Sequence, residues 1–242
     1  MKQSKAHLFT LLISALALLL VAPSTFTLFT WFDQRLITIS APPSGITIPA
    51  DLPADLDGDS HDENIVHKNG HLEIFSQGLV VWDSPQEWQI TQAEITDLNR
   101  DDVPEVALLL WREFSPWPID AYIPRPGRIQ DFHDQENRSC HLILIGFSQG
   151  AYRELWAGSA LADPLLAFAA ADLDQDGFQE LIALESRYDA HLLESSSLTV
   201  WDWNGFGFTL LSRGPQGYAI SLTTVQTSSG QDLLLAHGII RR

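Results

Sequence analysis

Three short stretches of this 242-residue chain carry oxygen-bearing side chains at alternate positions. The first runs Asp55-Leu56-Asp57-Gly58-Asp59 and reaches Glu63. The second runs Asp97-Leu98-Asn99-Arg100-Asp101 and reaches Glu105, and the third runs Asp172-Leu173-Asp174-Gln175-Asp176 and reaches Glu180. Each has Asp or Asn at relative positions 1, 3 and 5, Glu at position 9, and a short apolar run after it. Carboxylates on alternate residues of a tight loop converge, and ionised they repel unless a cation neutralises them. Calcium suits such a cage, because it takes roughly 6 to 8 hard oxygen ligands in adaptable geometry. The candidate ligands are Asp55, Asp57, Asp59 and Glu63; Asp97, Asn99, Asp101 and Glu105; and Asp172, Asp174, Asp176 and Glu180, for up to three calcium ions. Backbone carbonyls of His61, Val103 and Phe178, at position 7, would complete the cages.

Two other readings of these loops compete. An EF-hand needs a bidentate Glu at about position 12 and a helix on each side. That position holds Val66, Leu108 and Ala183, which excludes it. Solvated acidic turns are the plainer alternative, since Asp-Gly pairs are common in turns. Three loops in register favour the metal. Eleven of the 31 acidic residues are candidate ligands, so filled sites would remove much of the formal net charge of −17. With a single cysteine, Cys140, no intrachain disulfide is available, and ions would serve as staples instead.

The segments between the loops must position them. His71 to Gly78, His141 to Gly150 and Leu198 to Gly205 each read as a strand reaching a glycine-containing turn. The chain then returns through Leu79 to Trp82, Tyr152 to Trp156 and Phe206 to Leu211, which makes three hairpins. Unit starts at Leu72, Leu142 and Leu198 are 70 and 56 residues apart. The extra length falls in a Pro- and Trp-rich insertion at about 111–140. A degenerate fourth copy follows, with strands at Tyr218 to Leu222 and Asp232 to Ala236 around Ser228-Ser229-Gly230, but without acidic residues in its loop. Repeated strand-rich units indicate an all-β, propeller-like domain over 34–242 of about four blades, three with metal loops and one degenerate. Leu36 to Ser40 is expected to lend a strand to the last blade. An open stack of sheets or a sandwich would give the same local patterns.

The pattern in Asp172-Leu173-Asp174-Gln175-Asp176-Gly177-Phe178-Gln179-Glu180-Leu181 resembles the FG-GAP or VCBS-type repeats of integrin α-subunit propellers and many bacterial surface proteins. The resemblance covers roughly residues 51–240 and is specific at the three loops. It implies bladed β-structure with calcium on loops near one face. It implies no single function, and the chain has too few units for seven integrin-like blades.

Between Lys5 and Asp33 lie 27 residues without Asp, Glu, Lys or Arg, and about 20 apolar residues suffice to span a bilayer. Residues 1–33 are therefore expected to form an N-terminal transmembrane anchor. Lys2 and Lys5 mark the cytoplasmic side, which puts the remainder outside the cytoplasm, at the cell surface. A cleaved signal, giving a secreted protein, is the alternative, although Val21-Ala22-Pro23-Ser24 makes a poor cleavage site. An excess of 31 acidic over 14 basic side chains repels phosphate backbones and excludes unaided nucleic-acid binding.

Catalytic readings draw on fewer residues. Gly146-Phe147-Ser148-Gln149-Gly150 matches the nucleophile elbow of esterase-like hydrolases. Ser148 would attack, His191 or His237 would act as base, and Asp172, Asp174 or Asp189 would orient it. Phe75-Ser76-Gln77-Gly78 recurs at the matching place in the first unit, which marks turn chemistry. His67 and His71 flank a turn and do not form a helical zinc pair. Trp111, Phe114, Trp117, Tyr122 and Phe132, beside Arg112, Arg125, Arg128 and Arg138, give the insertion the composition of a recognition loop. The sequence thus reads as a membrane-anchored, extracytoplasmic, non-catalytic calcium-binding module for a protein or carbohydrate ligand. A serine hydrolase built on Ser148 is the alternative.

Overall fold

The computed structural model describes residues 26–40, 46–47, 53–116, 131–189 and 196–240. These residues form strands and loops with no α-helix, and among them no helix is long and apolar enough to cross a membrane. The strands are β1 (Phe26–Phe32), β2 (Arg35–Ile39), β3 (Asn64–Lys68), β4 (His71–Ser76), β5 (Leu79–Asp83), β6 (Gln89–Thr96), β7 (Glu105–Glu113), β8 (Arg138–Ser148), β9 (Ala151–Ala157), β10 (Leu165–Ala171), β11 (Glu180–Glu185), β12 (Ser196–Trp203), β13 (Phe208–Gln226) and β14 (Asp232–Ile240).

Turn chemistry sets the hairpins. Asn69-Gly70, Gln77-Gly78 and Gln149-Gly150 each place both residues at positive φ, at 54° and 81°, 49° and 81°, and 54° and 79°. That backbone matches the right-handed twist of the flanking strands. Asp33-Gln34 does the same between β1 and β2, at 49° and 57°. Between hairpins, β7, β8 and β11 are apolar and buried over most of their length, as central strands covered on both faces must be. Strand β4 alternates exposed and buried, as befits a sheet with one wet face.

Pairing is antiparallel throughout. One sheet has the order β3-β4-β5, a second β6-β7-β8-β9, and a third β10-β11-β12-β13-β14-β1-β2. The seven-stranded sheet is two units that share β13. The first part of this 19-residue strand pairs with β12 from Phe208 to Gly217, and the remainder pairs with β14 from Gly217 to Gln226. The sequence divides these units, but no turn separates the last strand of one from the first strand of the next. Four units therefore succeed one another along the chain: β3 to β5, β6 to β9, β10 to the first part of β13, and the rest of β13 with β14, β1 and β2. In the first unit the isolated bridge of Ala54 to Glu63 stands in place of a first strand ahead of β3, just as Thr96 of β6 pairs with Glu105 of β7 and Ala171 of β10 with Glu180 of β11 in the next two.

Consecutive units bury their faces against each other. Leu72 and Ile74 meet Val106, Leu108 and Ile143 between the first two units. Ala107, Leu109 and Leu144 meet Phe168, Leu181 and Ala183 between the second and third. Ile182, Leu184 and Val200 meet Phe29, Leu222 and Leu234 between the third and fourth. Thr47 exchanges backbone hydrogen bonds with Gln226 at the end of β13. Among the described residues no strand pairing or core cluster joins the first sheet to the fourth unit.

The N-terminal boundary moves. Phe26–Phe32, expected in the membrane anchor, is strand β1, with Phe29 fully buried and paired to Leu234 of β14. Leu28 and Phe29 of this strand are buried in the core while Phe26 and Phe32 stay exposed, and residues 1–25 lie outside the described residues. The strand expected from Leu36 to Ser40 is β2, which joins the last unit through β1. The insertion is also narrower than 111–140, because Trp111, Arg112, Arg138 and Cys140 belong to β7 and β8 and pair across them. Trp117, Tyr122, Arg125 and Arg128 lie outside the described residues.

The middle leucine of each acidic loop, Leu56, Leu98 or Leu173, is at most 2% exposed and enters the core between its own unit and the next. Leu98→Ala is accordingly expected to cost about 2–5 kcal/mol of unfolding free energy, read by denaturant titration. Phe206→Ala, at a residue 89% exposed, should change it by less than about 0.5 kcal/mol.

Candidate metal centres

Each acidic loop joins the first strand of a unit to the second. In all three the backbone is left-handed at positions 4 and 6: Gly58 and Ser60 at 77° and 70°, Arg100 and Asp102 at 61° and 63°, Gln175 and Gly177 at 65° and 93°. This winding aims the loop N–H groups inward, onto the aspartates. Asp55 accepts from the amides of Gly58 at 2.7 Å, Asp59 at 3.1 Å and Ser60 at 2.9 Å. Asp97 accepts from Asp101 at 3.1 Å, and Asp172 accepts from Asp176 and Gly177, both at 3.1 Å. At position 3, Asp57, Asn99 and Asp174 accept from the amide two residues on.

The glutamate at the head of the second strand closes each loop. Leu56 N–H donates to Glu63 Oε2 at 2.8 Å, Leu98 N–H to Glu105 Oε1 at 2.8 Å, and Leu173 N–H to Glu180 Oε2 at 2.9 Å. Glu63 and Glu105 are fully buried and Glu180 is 2% exposed. Their remaining oxygens differ. Glu63 Oε1 and Glu105 Oε2 are buried without any hydrogen-bond partner, whereas Glu180 Oε1 meets Arg100 Nη2 at 3.3 Å.

Three sets of side chains bring ligand atoms within 4.8 Å of one another: Asp55, Asp57 and Glu63; Asp97, Asp101 and Glu105; Asp172, Asp174 and Glu180. Each set could hold a metal ion. Of the other expected ligands, Asp59 turns an oxygen onto its own loop, accepting from His61 N–H at 2.8 Å, and Asp176 does likewise with Phe178 N–H at 2.9 Å. Asn99 Nδ2 donates to Asp101 Oδ2 at 3.1 Å.

The loops of the second and third units lie side by side. Asp97 N–H donates to Gln179 Oε1 at 2.9 Å, and Asp172 N–H donates to Asp232 Oδ2 at 3.1 Å, so each first amide is taken by a side chain of the following unit. The fourth, degenerate loop has no acidic cage. Thr227 closes it by accepting Gly230 N–H on its carbonyl and Gln231 N–H on its hydroxyl.

Electrostatics follow from burial. Desolvation pushes the Glu105 carboxyl up to about 7, with Asp97 and Asp101 adding to the rise and the bonds from Leu98 and Thr96 opposing it. Burial pushes Glu180 up to about 7 as well, raised further by Asp174 and Asp176 and opposed by Leu173 and Arg100. Asp57 and Asp174 are raised in the same way, by desolvation first and by neighbouring carboxylates after it. The Tyr152 hydroxyl, buried near Glu63, is also held well above its usual range.

The remaining candidates gather no comparable site. Ser148 occupies the corner of the β8–β9 turn. His237 stacks on Phe26 with centroids 4.7 Å apart, and His191 lies outside the described residues. His67 bonds the Ile90 carbonyl at 3.0 Å, and His71 bonds Ser84 Oγ at 3.3 Å. Trp111 meets Tyr188 edge-on and lies under Arg138, while Phe114 packs on His133. Sequence reasoning misses two features. Ser139 Oγ lies 2.7 Å from His141 Nε2, but both are buried and Nδ1 faces the Gly158 carbonyl, a structural pairing signalled by nothing in the sequence. Trp156, Trp203 and Phe208 form mutual edge-to-face contacts at 5.2–5.8 Å beside exposed Phe206; Trp203 and Phe208 flanking the β12–β13 turn were the available signal. No known protein family, curated protein or solved structure matches the chain.

The raised glutamates make the metal-free fold pH-dependent. A carboxyl that holds its proton more tightly in the native state gives stability that is present below about pH 4.5 and lost as pH rises through about 7. In chelator the melting temperature is therefore expected to rise as pH falls from about 7.5 to about 5.5. The double substitution Glu105→Gln and Glu180→Gln should flatten that rise, measured by thermal denaturation at each pH.

Proposed function

We propose that this chain is a calcium-stapled β-repeat module of propeller-like build, held outside the cytoplasm by an N-terminal membrane anchor, and that it binds or scaffolds a protein or carbohydrate ligand without catalysis. One observation carries the reading: Glu63 Oε1 and Glu105 Oε2 are buried, unpartnered carboxylate oxygens at the edge of acidic triads. An unpaired buried charge is costly, and a cation at the triad removes that cost together with the mutual repulsion of the aspartates. The donors are all oxygens, without His or Cys, which disfavours zinc. Irregular, loop-borne carboxylates suit the loose coordination of calcium better than the strict octahedron of magnesium.

In this reading the ions fasten the first strand of a unit to the second and fix the leucine that packs against the next unit. The four successive units then correspond to blades. The anchor rests on residues 6–25, which remain as 20 uncharged residues once β1 is assigned to the sheet, with Lys2 and Lys5 ahead of them. Exposed Phe206, beside the half-buried Trp156, Trp203 and Phe208, is the feature most suited to a ligand.

Calcium is expected to raise the stability of the chelator-treated protein by about 2.7 kcal/mol per site at 100 times the dissociation constant, seen as a shift in calorimetric melting. Glu105→Gln should remove part of that gain. A magnesium response equal to that of calcium would count against the assignment. Ser148→Ala should leave both the melting curve and labelling by a serine-directed fluorophosphonate unchanged.

A further inference from the structure

The third loop differs from the other two at a single carboxylate oxygen. Glu63 and Glu105 each leave one buried oxygen without a partner, but the corresponding oxygen of Glu180 is taken by Arg100. Arg100 belongs to the second loop, at position 4, where the first loop has Gly58 and the third Gln175. Its guanidinium also pairs with Asp202 of β12 and lies over the Phe178 ring, 5.2 Å from the centroid. The side chain is 19% exposed, and Glu180 is 2% exposed. The Asp97 amide bond to Gln179 keeps the two loops adjacent, so this reach is built into the packing of the units.

We propose that Arg100 is the resident cation of the third loop: its guanidinium stands on Glu180 where the first and second loops take a metal, so the tight ion sites number two. The proposal rests on the metal reading of the first two loops. Its chemistry is the same neutralisation achieved by different means. A guanidinium stays charged at every accessible pH and presents a planar fork of donors to carboxylates. A divalent ion entering the Asp172, Asp174 and Glu180 triad meets a like charge already bonded to one ligand, and must displace it or bind beside it. Neither Gly58 nor Gln175 supplies such an arm, so no positive side chain crosses from those positions to a neighbouring cage. Because Arg100 lies in the second loop, one side chain links that loop to the cage of the third.

The test counts ions in the full-length, chelator-treated protein by calorimetric titration with calcium chloride. Wild type is expected to bind two ions tightly, with a third only at concentrations at least about tenfold higher. Glu105→Gln should lose one tight ion, and Glu180→Gln should lose none. Arg100→Gln, which installs the residue found at position 4 of the third loop, should strengthen the third site about tenfold or more. Three equal ions in wild type, or loss of a tight ion in Glu180→Gln, overturns the proposal, and that pair of variants decides it even if Arg100→Gln fails to fold. Absence of any calcium binding in wild type overturns instead the metal reading beneath it.

Discussion

A single hydrogen bond, made three times, ties this structure together: the carboxylate that opens the second strand of a unit accepts the backbone N–H of the leucine inside the preceding loop. One oxygen fixes the loop against the strand, and the leucine side chain turns the opposite way into the core between units. The other oxygen must then face the aspartates. Placement of the core and convergence of charge are therefore one constraint, since the leucine cannot be buried without bringing its glutamate to the cage. Positions 1 and 5 are aspartate and position 9 glutamate in all three loops, while position 3 admits Asn99.

Strained backbone accompanies this arrangement. Ser60, Arg100, Asp102 and Gln175 adopt left-handed conformations that cost on the order of 1–3 kcal/mol each for residues other than glycine. The inward-facing amides that result are satisfied by Asp55, Asp97 and Asp172. Loop conformation and acidic composition explain each other: the aspartates accept the amides that the winding turns inward, and the winding draws the carboxylates together.

Much of this was legible in the sequence. The Asp-x-Asp spacing located the loops, alternating and continuous apolar runs located the strands, and the Gln-Gly pairs located two tight turns. Those signals are local, and each acts within a few residues. What the sequence concealed depends on partners far along the chain. Phe26–Phe32 is as apolar as a membrane segment, and only its pairing with β14, some 200 residues away, makes it a strand. The fusion of two units through β13 was hidden because Phe206 to Leu211 and Tyr218 to Leu222 read as separate strands, whereas one strand runs through both with a register shift between Arg213 and Gln216. Arg100 reads as an ordinary charged loop residue until the third loop is placed beside it.

The pairing of β1 with β14 has a consequence for biogenesis. Strands β1 and β2 are synthesised before the units that follow them and can make their own hairpin, yet the strand that completes their sheet is encoded some 200 residues later. Until Asp232–Ile240 emerges, the apolar face around Phe29 stays uncovered, open to chaperones or to a neighbouring nascent chain. The last unit is thus assembled from segments that flank the other three, and it closes only after translation of all the units between them.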